Sequence, residues 1–179
     1  MKSSKSYVID TGVALAYIVE NAPDRDKVVE IFNVAKKGKL KLYTVYPVLS
    51  ENTVRNVQNS IAGFAEHNRM ALDLALWIKS VAEVVEITLN IALRAGELKK
   101  LLRMTLTDCY IIATAEVLSA IALFLKIEEE IKKRIHLIEK LYNFSSYLNL
   151  TILRDECFYL LVFYSTPMTS RSVLNGSAH

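Results

Sequence analysis

Residues 7–17 read YVIDTGVALAY, and the fold turns on how that stretch is parsed. Tyr7-Val8-Ile9 is a short run of β-branched and aromatic residues, the composition of a buried strand. The run stops at a carboxylate, Asp10, which an apolar strand has no packing reason to carry. Thr11-Gly12 breaks the strand, and Val13, Ala14, Ala16, Tyr17 and Ile18 follow at spacings that let a helix cover one face of a sheet. The unit is strand, acidic tip, helix. In open α/β sheets ligands bind in the crevice beyond the carboxyl ends of the strands, so Asp10 is a site candidate. The same carboxylate is also suited to cap the following helix by accepting its free N–H groups. The segment alone leaves both roles open.

The rest of the chain repeats the alternation. Pro23-Asp24 signals a helix start, Val28, Val29, Ile31, Phe32 and Val34-Ala35 form its apolar stripe, and Gly38 is its stop. Leu40 to Val45, LKLYTV, alternates and is rich in strand formers. From Pro47 a helix carries Val48, Leu49, Glu51, Val54 and Val57. Glu51 therefore stands just past a strand end, although Arg55 four residues on would also make an ordinary exposed helix pair with it. Phe64 to Ser80 is helical in pattern, with Trp77 read as core. Val81 to Ile87 reads as a third strand, with Glu83 and Glu86 at its solvated ends, and Ile91 to Leu102 as an amphipathic helix.

Thr105 to Glu116, TLTDCYIIATAE, is the second informative stretch. Thr105-x-x-Asp108 has the shape of a helix N-terminal capping box, with Asp in place of the more usual Glu or Gln. The helix from Cys109 to Leu118 is almost wholly apolar, broken only by Thr114 and Glu116, which implies burial on most sides. Ala120 to Leu125, AIALFL, follows as a short strand, and directly beyond it lie Glu128, Glu129 and Glu130.

Four acids thus stand beside strand ends: Asp10, Glu51, Asp108 and Glu128. Parallel strands would bring their carboxyl ends to one edge. Carboxylates gathered there repel one another and stay ionised at neutral pH only if a cation compensates them. All-oxygen donors point to Mg²⁺ or Mn²⁺, bound through a few carboxylates plus water and substrate phosphate.

Composition bounds the answer. The chain has 179 residues, 52% of them hydrophobic, enough for one domain with a sizeable core. A net charge of +3 permits an anionic substrate without requiring one. Cys109 and Cys157 show neither metal-ligand spacing nor a disulfide framework, which fits a reducing cytoplasm. No run of 18 uncharged apolar residues suggests a membrane span. The three histidines, His67, His136 and His179, form no pair and read as surface groups.

At this point the residues resemble a family. YVIDTGVALAY looks like the first strand of PIN domains, and within them of the VapC-like ribonuclease toxins, ending in Asp-Thr/Ser. VYPVLSE resembles the helix start that bears the family's Glu, and LRAGELKKLLRMTLTDCYIIATA is similar to the segment leading to its third acid and apolar helix. The resemblance spans about Ser6 to Lys133. It implies a three-layer α/β sandwich with a central parallel sheet flanked by helices, a divalent metal held by the acids, and endonucleolytic cleavage of RNA. On that match Asp10, Glu51 and Asp108 take the first three acidic positions, and Thr11 supports the first acid. The fourth departs from the common Leu-Val-Thr-x-Asp pattern: Lys126 replaces the small hydroxyl, and either Glu128 or Glu130 faces the metal. The resemblance also implies a toxin that pairs with a small antitoxin protein. A catalytically idle PIN fold acting as an RNA- or protein-binding module is the alternative. Lys36, Lys37, Lys39, Lys99, Lys100 and Arg103 are candidates for guiding RNA, set against the ordinary role of charged helix faces in solvation.

Residues 1–140 form the expected nuclease domain, and residues 141–179 an extension. Only Arg154, Asp155, Glu156 and Arg171 are charged among the last 39 residues. Within them Cys157 to Tyr164, CFYLLVFY, is an apolar run that a solvated tail should not expose. An added strand, a homodimer contact and a segment beneath a partner are the three readings it allows. Residues 135–138 fit either a helix or a short final strand.

Overall fold

The computed structural model describes residues 5–22, 24–51, 64–125, 133–134, 150–155 and 158–163. Four short strands, β1 (Ser6–Ile9), β2 (Lys41–Val45), β3 (Glu83–Val85) and β4 (Ile121–Phe124), run parallel. Helices α1 (Thr11–Ile18), α2 (Arg25–Lys36), α3 (described over 46–51), α4 (Phe64–Val81), α5 (Leu89–Leu102) and α6 (Leu106–Leu118) connect them. Two further strands, β5 (Leu150–Asp155) and β6 (Phe158–Phe163), complete a six-stranded sheet of order β3-β2-β1-β4-β6-β5.

The apolar strands are short and continuous because both faces are covered. Successive residues point to opposite faces, and the packing follows that rule. Val8, Val45, Ala122 and Phe124 join Ile91, Ala95 and Leu98 of α5 and Ile111, Ile112 and Ala115 of α6 in one core. Ile9, Leu42 and Leu123 face the other way, against Val13 and Ala14 of α1, Val28 and Phe32 of α2, and Leu74 and Ile78 of α4. This is the expected three-layer arrangement. Trp77 stacks on Tyr17 at 4.3 Å between ring centroids and leans on Phe32 at 5.2 Å, as a core residue should.

Local signals explain the element ends. Gly38 takes φ +68°, which costs glycine little. It lets Gly38 N–H donate to the Ala35 carbonyl at 2.8 Å and Lys39 N–H to that of Val34 at 3.2 Å, closing α2 in a Schellman motif. Glu116, the acid near the far end of the apolar helix α6, is matched across the helix pair by Arg94 of α5 at 2.7 Å, and Arg94 also holds Glu97 at 2.9 Å.

Three boundaries move. Val81 ends α4 instead of opening a strand, because Ala82 N–H still donates to the Ile78 carbonyl at 2.8 Å, and β3 starts only at Glu83. The helix expected from Ile91 begins at Leu89, since Thr88 caps it by accepting from Ile91 N–H at 3.4 Å. Residues 158–163 form an inner strand, antiparallel to both β4 and β5, with Leu123 paired to Leu160 and Leu153 to Leu160 across the ladders. Of the three readings for the apolar run, the added strand is the one adopted. Residues 133–134 are helical, and 135–138 lie outside the described residues. Among the described residues no helix is long and apolar enough to cross a membrane.

Candidate active site

β1 ends at Ile9, and Asp10 follows at the point where its backbone N–H donates to the Leu123 carbonyl of β4 at 3.1 Å. Its Oδ2 accepts from Gly12 N–H at 3.1 Å, so Asp10 does cap α1. The capping role is met, and it does not preclude a site role. Burial is the main influence on this carboxyl, and the charge of Asp108 adds to it, with a smaller contribution from Glu51. Together they push its pKa up to about 7, against the opposing pull of the Gly12 and Thr11 N–H groups.

Glu51 arrives from α3, in the turns after β2. Its Oε2 accepts a hydrogen bond from the hydroxyl of Thr11 at 3.2 Å. Thr11 is fully buried. The resemblance assigns Thr11 to support of the first acid; its backbone N–H bonds Asp10, and its side chain links the first helix to the second acid. Arg55, the alternative partner for Glu51, lies outside the described residues.

Asp108 sits in the first turn of α6. Its N–H donates to Thr105 Oγ1 at 3.1 Å, one half of the expected capping box. Leu118 is followed almost at once by β4, so α6 runs back across the sheet and its N-terminus lies at the edge where the parallel strands end. Burial, with Asp108 next in order, pushes the neighbouring Cys109 thiol up to about 11, while Lys99 acts in the opposite direction.

Sequence pattern found the three acids but not Gly12, which it used only as a strand breaker. A Cβ at Gly12 would lie 3.0 Å from Asp10 Oδ2, so the absence of a side chain keeps that oxygen in place. The signal was present as a glycine two residues after a strand-end acid.

The basic candidates divide into two groups. Lys36 ends α2 and reaches the Tyr17 hydroxyl at 3.5 Å. Lys37 and Lys39 are exposed just before β2 starts, and Lys41 N–H bonds the Lys5 carbonyl there. These three therefore lie toward the amino edge of the sheet, opposite the acids. Lys99, Lys100 and Arg103 are exposed at the end of α5, immediately before the capped start of α6. Lys99 Nζ also donates to the Met104 carbonyl and so ties that loop down. Glu128 and Glu130 fall outside the described residues, as do His136 and His179. Among the described residues, no three His, Cys, Asp or Glu side chains are gathered tightly enough to hold an ion between them. Asp10, Glu51 and Asp108 are instead coupled through charge.

The arrangement defines a class: an α/β sheet covered on both faces, with acids from three separate helix starts converging on its carboxyl edge. The family model of the PIN domain matches residues 7–126, more than half of the chain, and the chain belongs to the PIN-domain family. Among solved structures it is similar to VapBC2 from Rickettsia felis bound to a DNA fragment from its promoter, with a TM-score of 0.52, 21% identity, 72% of this chain covered and 92% of that one. VapBC-1 from nontypeable Haemophilus influenzae aligns with a TM-score of 0.49, 16% identity, 73% of this chain and 92% of that one. The comparison with curated protein sequences yields no match.

Proposed function

We propose that this PIN domain is a Mg²⁺- or Mn²⁺-dependent endoribonuclease of the VapC type, the toxin of a toxin–antitoxin pair acting in the cytoplasm. The observation that carries the reading is the convergence of Asp10, Glu51 and Asp108, in which burial and two like charges raise the pKa of Asp10. The donor set fits a hard divalent cation, because every candidate ligand is a carboxylate oxygen and a cation would relieve that repulsion. In this reading Asp10 and Asp108 hold the ion, and Glu51 and Glu128 complete the set. When bound, it would lower the pKa of a water and polarise the scissile phosphate. The chain's own groups set the stage. Gly12 N–H orients the Asp10 carboxylate, Thr11 fixes Glu51, and Thr105 fixes the helix turn that presents Asp108. No side chain is required as nucleophile.

The direct test is cleavage of a panel of RNAs with and without Mn²⁺, with calorimetry of ion binding. Cleavage that needs the ion is expected. No binding at millimolar divalent ion would overturn the reading. Gly12→Ala is expected to keep the fold yet weaken Mn²⁺ affinity by about tenfold, the lower end for a group that orients a ligand; unchanged affinity by calorimetry would show that Asp10 tolerates the methyl group.

Glu128→Gln is expected to cut the cleavage rate far more than Glu130→Gln, since side chains two residues apart on a short turn diverge. Equal small effects would mean that three acids suffice. A small antitoxin is the partner we infer; the similar Rickettsia felis structure is of VapBC2 bound to promoter DNA. A homodimer remains part of the proposal, but β6 does not serve as its contact through backbone pairing, because β4 and β5 flank it within the chain. Residues 1–140 then carry the chemistry, and the extension beyond them supplies β6 and the edge strand β5.

A further inference from the structure

Tyr46 is the first residue beyond β2, and it is 53% exposed. Among the residues whose side chains are described it is the only exposed aromatic: Tyr7, Tyr17, Tyr43, Trp77 and Tyr110 are half-buried, and Phe32 and Phe124 are buried. Its position is fixed by the sheet. β1 and β2 pair with Val8 opposite Tyr43. Carrying that register two residues on sets Asp10 level with Val45, the last residue of the neighbouring strand about 4.8 Å away, and Tyr46 follows Val45. It also opens the helix that carries Glu51, and Ser50 Oγ donates back to the Tyr46 carbonyl at 3.2 Å, fastening the first turn.

We propose that Tyr46 is a stacking platform for one nucleobase of single-stranded RNA lying across the acid edge. The inference rests on the nuclease reading and deepens it by naming a base-binding residue. Scattered exposed apolar side chains are normal and carry no meaning singly. What sets Tyr46 apart is an exposed ring one residue past the backbone position level with Asp10, on a helix turn already held in place. Nucleobases of every kind have a π-face, so an aromatic platform binds RNA with little sequence preference. Such a ring would hold the base while the acids address the adjoining phosphate.

The test uses full-length Asp108→Asn protein, which is expected not to cleave, and a labelled single-stranded RNA of mixed sequence, with binding followed by anisotropy. Adding Tyr46→Leu is expected to weaken binding about tenfold, whereas Tyr46→Phe should bind within about twofold of the parent. Thermal unfolding of each variant verifies that it is folded. An abasic nucleotide walked along the RNA should, at one position, remove the difference in affinity between the parent and its Tyr46→Leu variant. Equal loss in the Tyr46→Phe and Tyr46→Leu variants would assign the effect to the hydroxyl and overturn stacking. Unchanged binding in Tyr46→Leu would overturn it too, while Mn²⁺-dependent cleavage by the wild type would leave the nuclease reading standing. If wild-type protein neither binds nor cleaves RNA, both fall together.

Discussion

In chelator-treated buffer, Asp10→Asn is expected to stabilise the protein at pH 8 and to leave it unchanged near pH 4. The Asp10 carboxyl has a folded pKa of about 7 against an ordinary 3.8, chiefly through burial and then through Asp108. A raised carboxyl pKa means that the folded state holds the proton more tightly than the unfolded state. Stability therefore falls as pH rises from about 4 to about 7, and the loss is complete above that range. The displacement corresponds to at most about 4 kcal/mol, and the partial exposure of Asp10 favours an effect of about 2 kcal/mol. Asparagine cannot ionise but retains an oxygen to accept from Gly12 N–H, so the variant keeps the cap and sheds the penalty. Urea unfolding of both proteins across pH measures this directly. Parallel profiles would mean that Asp10 is compensated in the metal-free protein.

The same substitution should have the opposite consequence once divalent ions are added. Mg²⁺ or Mn²⁺ is expected to raise the melting temperature of the wild type, because a ligand of the folded state stabilises it by mass action. Asp10→Asn and Asp108→Asn should each abolish most of that rise. Each should also reduce cleavage by more than about a hundredfold, the upper end of what loss of a mere ligand-orienting group costs. The pairing of results is diagnostic: a variant more stable without the ion, indifferent to it, and inactive. Retained Mn²⁺-dependent cleavage in either variant would move the chemistry elsewhere in the molecule.

Much of this site was legible in the sequence because its signals are local. A strand that stops at Asp10, a Thr105-x-x-Asp108 box and a helix start bearing Glu51 can each be read within a dozen residues. Their physical causes, β-branched runs and unsatisfied helix N–H groups, act over the same span. Features set by topology were harder to see. Lys37 and Lys100 look alike in sequence, yet one lies at the amino edge of the sheet and the other beside the start of α6. The bond from Thr11 to Glu51 joins residues 40 apart in the chain, and no periodicity reports it. The apolar run at 157–164 allowed an added strand, which residues 158–163 form, but carried no alternation to say which strand it would pair with, or in which direction.

That pairing changes what the tail is for. Because β6 lies against β4, the last strand of the parallel set is an interior strand with hydrogen bonds on both sides, to β1 and to β6. Shortening the gene to end near residue 140, a natural choice for anyone wishing to express the matched domain alone, would strip one flank of Ile121–Phe124 to bare N–H and C=O groups. An exposed flank of that kind is a template for another chain. The truncated product would then be a stickier molecule, in place of a minimal nuclease, and insolubility on its part would say nothing about catalysis.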